Sequence, residues 1–170
     1  MEIEELVALV VPPADYQHRN GFNNIPLISK LTKDEKTQLE DALISKLTNE
    51  SKVSIDTLII ETLAFLKSEK SLPILKQLLG ASSNNLTRLK IAASIFEIGK
   101  ENDMIDIAIG LVGKIDDKND AYYVHKLTSA FYYLMKFRSS KVNDIIQKYT
   151  NHEEYLVAYN ARQVLDELSA

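Results

Sequence analysis

Residues 55–66 of this chain read IDTLIIETLAFL, and the same pattern returns at residues 87–98, TRLKIAASIFEI, and at residues 157–168, VAYNARQVLDEL. A fourth segment, YVHKLTSAFYYL at residues 123–134, fits less closely. The last apolar residues of the four segments follow one another at intervals of 32, 36 and 34 positions, and they are Leu66, Ile98, Leu134 and Leu168. A near-constant period in this range is typical of repeated helix pairs, so we predict four copies of one unit.

Each of the four segments has the apolar spacing of an amphipathic helix. In the first segment Ile59 and Ile60 stand three to seven positions ahead of Leu63 and Leu66, which places these side chains on one stripe. We call the four predicted helices the first helices. Alternation with a period of two never persists for more than a few residues, so no sheet is expected and the predicted fold class is all-α.

Helix boundaries are marked by residues with known preferences. Second helices are predicted after the first three copies, and they cover residues 71–79, 103–111 and 141–149. Ser71 and Asp103 are predicted N-caps, because their side-chain oxygens can accept from the free amides of a first turn. The segments Thr32–Glu35 and Asn151–Glu154 have the pattern of a capping box. Gly80 is placed to end its helix in a left-handed conformation.

The chain ahead of the repeats is irregular. Residues 2–11 predict one helix, which Pro12-Pro13 ends, and residues 14–24 have the Asn, Gly and His content of a loop. A terminal unit that closes a stack of repeats is expected to be atypical. We therefore predict an irregular N-terminal cap at residues 1–30 and a repeat array at residues 31–170, which together form one domain.

The composition limits the classes of partner and location. Twenty basic and twenty-four acidic residues give a net charge of −4, which offers no electrostatic drive toward a phosphate backbone. The acidic start at residues 1–5 and the apolar run at residues 6–11, which lacks a cleavage site, predict no secretory signal. Cysteine is absent, and no apolar stretch approaches the roughly 20 residues that cross a bilayer. We expect a cytoplasmic protein that binds neither nucleic acid nor membranes.

The repeated unit resembles a known family. The pattern Val-Ala-x-x-Ala-Arg-x-Val-Leu-x-x-Leu at residues 157–168 looks like the first helix of HEAT repeats of the kind also found in phycobilin lyases. The segment 58–79, with its turn LKSEKSLP, is similar to the helix-turn-helix of that family. The resemblance covers about residues 53–168, but the turns lack the usual Asp-Pro and Ala158 stands where Arg is usual. It implies a right-handed α-α superhelix of about four to five helix pairs that binds proteins.

No catalytic, cofactor or metal site is predicted. The three histidines, His18, His125 and His152, lie in separate segments and lack the spacing that puts two ligands on one helix face. No phosphate-binding glycine loop or nucleophile motif occurs. Asp103 and Asp106 are spaced to share a proton or a cation, but their polar surroundings favour an ordinary solvated helix face.

The candidate partner-binding residues come first from the second helices, which line the concave surface in stacks of helix pairs. The sides of these helices that face away from the predicted core carry Ile74, Gln77, Ile105, Asp106, Ile109, Asn143, Asp144 and Gln147. Exposed isoleucines among amides and acids suit a binding strip. The alternative is that Ile74, Ile105 and Ile109 only pack against neighbouring repeats.

Tyrosines are the second source of candidates, since seven of the eight lie between Tyr122 and Tyr159. Tyrosine is favoured at recognition surfaces because it supplies rigid contact area with a polar tip. Tyr132 and Tyr133 are adjacent on a helix and cannot both face the core, so we add both to the candidates. Most of the other tyrosines are expected to fill the core, given their helical spacing.

These observations favour a non-enzymatic module that binds a partner protein on its concave face. The chain is also similar to small bacterial HEAT proteins that serve as immunity partners of toxins, and an acidic face attracts basic surfaces such as a toxin domain. One alternative is a HEAT-type lyase or ligand-binding protein with a deep pocket. A second is an enzyme like the alkylpurine DNA glycosylases, although the chain is acidic and has no Trp to stack a base. A third is a structural or self-associating element.

Overall fold

The computed structural model describes residues 2–49 and 54–170, and over these residues the chain forms eleven α-helices and no strand. The all-α prediction is therefore confirmed. Met1 and residue 53, where the predicted cap and the HEAT-like region begin, lie outside the described residues. The helices are α1 (Ile3–Val10), α2 (Tyr16–Arg19), α3 (Ile25–Ser29), α4 (Lys33–Asn49), α5 (Thr57–Phe65), α6 (Leu72–Ala81), α7 (Asn85–Gly99), α8 (Asp103–Ile115), α9 (Tyr123–Leu134), α10 (Ser140–Gln147) and α11 (Tyr155–Ser169).

The predicted first and second helices all form, and they pack largely in chain order. The first helices α5, α7, α9 and α11, here called the first-helix series, contact one another in that order. The second helices α6, α8 and α10, here called the second-helix series, each pack against the first helix that follows them. Within the described part of the chain, none of these helices is long and apolar enough to reach across a bilayer.

The two series differ in how completely they are buried. Helix α7 contacts α5, α6, α8 and α9, and its residues 91–96 are all buried. Helix α10 buries only Val142 and Ile146. Burial of one such aliphatic side chain contributes about 1.5–3 kcal/mol, so most of the apolar stabilisation comes from the first-helix series.

Several predicted helix starts differ in the structure. The capping box of Thr32 and Glu35 is confirmed, since the Thr32 amide donates to Glu35 Oε2 at 2.8 Å and the Glu35 amide donates to Thr32 Oγ1 at 3.3 Å. The box at Asn151 is wrong, because α11 begins at Tyr155 and the Glu154 amide donates to His152 Nδ1. Asp103 is the first residue of α8 and not its cap.

Ser71 stands at the N-cap position of α6, as predicted, but its side chain makes no capping hydrogen bond. A 3₁₀ turn, Glu69–Ser71, leads directly into α6, and the Ser71 hydroxyl donates to the Ser68 carbonyl at 2.7 Å. In the same way, the carbonyls of Glu101 and Asn102 accept from the first amides of α8. Backbone groups of the preceding turn therefore replace the side-chain caps that the sequence suggested.

The left-handed residues lie at other positions than predicted. Gly80 lies within α6, which continues to Ala81, so the prediction that Gly80 ends the helix with a positive φ is wrong. Positive φ angles occur instead at Lys67, Lys100 and Arg138, with values of 56°, 55° and 45°. Lys67 and Lys100 follow the ends of α5 and α7, and Arg138 follows the 3₁₀ turn, Met135–Phe137, that extends α9.

The N-terminal segment is anchored to α5 by buried polar contacts. The predicted helix at residues 2–11 forms as α1, but the predicted loop contains α2, whose first turn is capped by the Asp15 carboxylate. The Arg19 guanidinium forms two hydrogen bonds, of 2.7 and 3.0 Å, with the Asp56 carboxylate at the start of α5. The Asn24 amide donates to the Thr62 hydroxyl of α5 at 2.8 Å.

Candidate functional site

The predicted strip on the second-helix series is less apolar at its surface than expected. Ile74, Ile105 and Ile109 are half-buried and pack against the core, as the alternative of packing between helices predicted. The polar candidates of the strip are exposed or half-exposed, and they are Gln77, Asp106, Asn143, Asp144 and Gln147. Asp106 pairs with Lys141 at 3.0 Å on the open surface. Among the described residues, no large exposed hydrophobic side chain lies on α6, α8 or α10.

The prediction that most of the other tyrosines fill the core is wrong. Of the seven, the four exposed ones are Tyr122, Tyr132, Tyr155 and Tyr159, and the three half-buried ones are Tyr123, Tyr133 and Tyr149. The half-buried phenols each donate to a carboxylate, for example Tyr149 to Asp116 at 3.1 Å. A phenol needs such a partner when it leaves water, so these side chains stay at the margin of the core.

Tyr133 joins two helices that are not neighbours in the first-helix series. Its hydroxyl, on α9, donates to Glu61 Oε1 on α5 at 2.7 Å, although α7 lies between these helices in the order of contacts. The two residues are 72 positions apart in the chain. Because a tyrosine and a glutamate have limited reach, α5 and α9 must approach each other over one face of α7. The hydrogen bond between Tyr133 and Glu61 therefore spans α7 on one face of the first-helix series.

Two lysine side chains, one on α7 and one on the 3₁₀ turn after α9, lie close to the Tyr133 ring. The Lys90 ammonium lies 5.1 Å from the centre of the Tyr133 ring, and that of Lys136 lies 5.5 Å from it. Lys136 also pairs with Glu97 at 3.1 Å. Cations over an aromatic face are attracted by the ring quadrupole, so both lysines interact favourably with the Tyr133 ring.

The part of α7 beneath the bridge carries small residues. Ala93 and Ser94 lie three or four positions from both Lys90 and Glu97, and residues with this spacing share a helix face. Both are fully buried. The Ser94 hydroxyl finds no hydrogen-bond partner in residues 2–49 and 54–170. Small side chains here leave room for the α5 and α9 side chains to meet above α7.

Three adjoining recesses open on this face, and Lys136 lines all of them. The first, of about 500 Å³, is mainly apolar and includes Phe22, Ile25 and Phe65. The second, of about 410 Å³, contains Tyr132 and Tyr133. The third, of about 350 Å³, is lined by Lys67, Glu97, Lys100, Met135, Lys136, Arg138, Glu167 and Leu168. We call the three recesses together the central cleft.

The chemistry of the central cleft is that of hydrogen bonding and ion pairing. Burial, and next the charge of Glu61, raise the pKa of the Tyr133 phenol far above its usual range. Tyr133 thus stays a neutral donor at physiological pH and does not act as a base. In residues 2–49 and 54–170, no three His, Asp or Glu side chains are grouped so that they could hold a metal ion.

The structure brings some predicted site residues together and leaves others apart. Tyr132 and Tyr133 both line the central cleft, whereas the eight candidates on the second helices lie elsewhere. Sequence reasoning missed Glu61, Lys90 and Lys136. A signal for one part existed, because Lys90 and Glu97 flank two small residues on one helix face. Nothing in the sequence indicated that α5 and α9 meet there.

Comparison of the chain with protein-family models, with curated proteins and with solved structures gives no significant match.

Proposed function

We propose that this chain is a HEAT-like stack of helix pairs that binds a segment of a partner protein in the central cleft and catalyses no reaction. In this proposal the helices form a right-handed superhelix of four to five pairs, and the protein works in the cytoplasm. The order of contacts within the first-helix series supports such a stack. The single observation that carries the proposal is the hydrogen bond of Tyr133 to Glu61, which spans α7 on the face that contains the central cleft.

The proposal places the partner on the first-helix series, whereas the sequence suggested the second helices. Two observations favour this change. The face spanned by the hydrogen bond of Tyr133 to Glu61 holds the three adjoining recesses. It also holds exposed aromatic side chains, among them Phe65, with 42% of its surface exposed, and Tyr132, with 40% exposed. Aromatic side chains beside charged groups are typical of the energetically important residues of interfaces.

Neutralisation of a basic toxin domain remains a second candidate function. It would use the second-helix series, where Asp103, Asp106 and Asp144 are exposed. Carboxylates on an open surface attract a basic partner mainly by increasing the association rate, and this effect falls as salt is added. These carboxylates lie outside the central cleft, so variants can distinguish the two functions.

The proposal is tested by selecting peptides from a displayed random library on the immobilised full chain. The selected peptides are then titrated against Phe65→Ala and Tyr132→Ala, with Gln77→Ala on α6 as the control. We expect each cleft variant to weaken binding about tenfold, which equals about 1.4 kcal/mol. The control should change the affinity less than twofold.

Three outcomes count against the proposal. Peptides that bind all three variants equally well would show that the central cleft is not the binding face. Peptides that lose affinity for Gln77→Ala alone would return the site to the second-helix series. A selection that enriches no peptide above the uncoated support would also count against peptide binding, and would favour the alternative of a small-molecule ligand.

A further inference from the structure

Three basic residues with a left-handed backbone lie along one edge of the central cleft. Lys67, Lys100 and Arg138 each have a positive φ, and each follows a successive member of the first-helix series or its 3₁₀ extension. All three are exposed and line the same recess. We call them the basic edge. Glycine is the usual residue at a left-handed helix end, because every other residue type is strained there.

Stabilisation of helix ends accounts for part of the basic edge, since the Lys67 ammonium donates to the Glu97 carbonyl in the last turn of α7 at 3.0 Å, and the Lys100 ammonium lies 5.1 Å from the centre of the Phe96 ring. A cation near the last carbonyls of a helix does interact favourably with the helix dipole. Lys148 supplies such a cation at the end of α10 with an ordinary right-handed backbone, so a left-handed residue is not needed for it. The left-handed backbone at three successive helix ends, each with a basic side chain, brings three cations to one recess.

The recess beside the basic edge has an excess of positive charge. It is lined by four cations, two of which are Lys100 and Arg138, and by the carboxylates of Glu97 and Glu167. Glu97 is already paired with Lys136. In the described ranges 2–49 and 54–170, the Arg138 guanidinium makes no hydrogen bond or ion pair. The recess is thus locally positive in a chain whose net charge is −4.

The positive recess continues into the apolar one. Lys67, Glu97 and Lys136 line both. Phe22 and Phe65 lie on the apolar side of this boundary. A ligand that spans the two recesses would therefore need an apolar group next to negative charge.

We propose that the basic edge binds an acidic peptide segment of the partner, with its carboxylates at Lys67, Lys100 and Arg138 and an apolar side chain in the recess of Phe65. This inference rests on the proposed function, since it names the chemistry of the segment that the central cleft takes. An acidic peptide fits better than nucleic acid, because the positive surface is short and flanked by apolar groups, whereas a phosphate backbone needs an extended basic track.

The experiment measures fluorescence anisotropy of a labelled twelve-residue peptide that contains one Phe followed by four Glu. A peptide with Gln in place of the four Glu and a twelve-nucleotide single-stranded DNA are measured alongside. The variants are Lys100→Gly and Arg138→Gly, which remove a cation and relieve the left-handed strain together. Lys148→Ala is the control, since it removes the same charge at the end of a second helix.

We expect the acidic peptide to bind at least tenfold more tightly than its Gln counterpart. Each glycine variant should weaken it at least fivefold while its midpoint of thermal unfolding stays equal or rises. Lys148→Ala should leave the affinity unchanged. Glycine variants that bind normally but unfold at lower temperature would overturn the inference, because the cations would then serve only the helix ends. Tighter binding of the DNA would overturn it in favour of nucleic acid.

The random-library selection separates failure of this inference from failure of the proposed function. Peptides that depend on Phe65 and Tyr132 without enrichment of Asp or Glu would leave the proposed function standing and would overturn the acidic specificity. Peptides that depend on neither residue would overturn both.

Discussion

The first-helix and second-helix series recur with a similar spacing along the chain, yet the side chains on their surfaces make different contacts. On the first-helix series, Tyr133 of α9 reaches Glu61 of α5 across α7, so side chains connect helices that are two places apart. On the second-helix series, the ion pair of Lys141 with Asp106 connects α10 only to its neighbour α8. One face of the molecule therefore has a side-chain contact that spans a helix, whereas the other has a contact between neighbouring helices.

The difference extends to the backbone and the core. The ends of three successive first-helix elements are left-handed, while none of the residues that end the described second helices has a positive φ. Helix α7 has neighbours on nearly all sides, and α10 is short and buries two residues. We conclude that α7 lies deep in the core, whereas α10 lies at its margin, and that the central cleft opens on the first-helix series.

The largest expected effect compares equal truncations in the two series. Ile95 on α7 and Ile146 on α10 are both fully buried. Replacement of either by Ala should lower the free energy of unfolding by about 2–5 kcal/mol, with Ile95→Ala near the upper end, because surroundings that cannot collapse leave a larger cavity. Chemical denaturation of the two variants measures this. Equal losses, or a greater loss for Ile146→Ala, would contradict the conclusion that α7 is packed more tightly in the core than α10.

A smaller effect is expected from the bridge across α7. Tyr133→Phe removes the hydrogen bond to the Glu61 carboxylate, and we expect a loss of about 1–2 kcal/mol, since hydrogen bonds to charged groups are stronger than neutral ones but this pair is only half-buried. Tyr132→Phe is the matched control, because its hydroxyl donates to Asn160 on the open surface. A double-mutant cycle with Glu61→Gln measures the coupling, and no coupling would contradict the bridge.

The smallest effect tests the open side of the second-helix series. A Cβ added at Gly110, within α8, would have no neighbouring atom within 4 Å. Gly110→Ala should therefore stabilise the chain by about 0.5–1 kcal/mol, because Ala restricts the unfolded chain and fits the helix better. Thermal unfolding measures the shift. A destabilised variant would show that α8 is packed more closely on this side than the geometry indicates.

The sequence allowed the helices to be predicted because their signals are local. The apolar spacing at residues 55–66 located α5, and the Thr32 and Glu35 pair located the start of α4. The prediction failed where a local signal did not decide the position of a helix end. Gly80 suggested a left-handed end, but α6 continues past it, and Asn151 suggested a cap that the chain does not use.

The candidate site was predicted only in part, because exposure and distance depend on the whole chain. The spacing of Ile74 and Ile105 suggested an exposed strip, yet neighbouring helices cover both side chains to a large extent. Tyr133 was among the candidate residues, but its partner Glu61 was not. Their pairing depends on how far three helices tilt toward one another, and no periodicity in the sequence records that.

The sequence by itself determined that this protein is helical, where its repeated segments lie and which residues of each segment seek the core. These properties follow from hydrogen bonds and apolar spacing within a few turns of one helix. Only the tertiary structure decided which side chains connect α5 with α9, which helix ends are left-handed and which charges share a recess. These features arise from contacts between residues tens of positions apart, whose energies depend on the relative placement of whole helices.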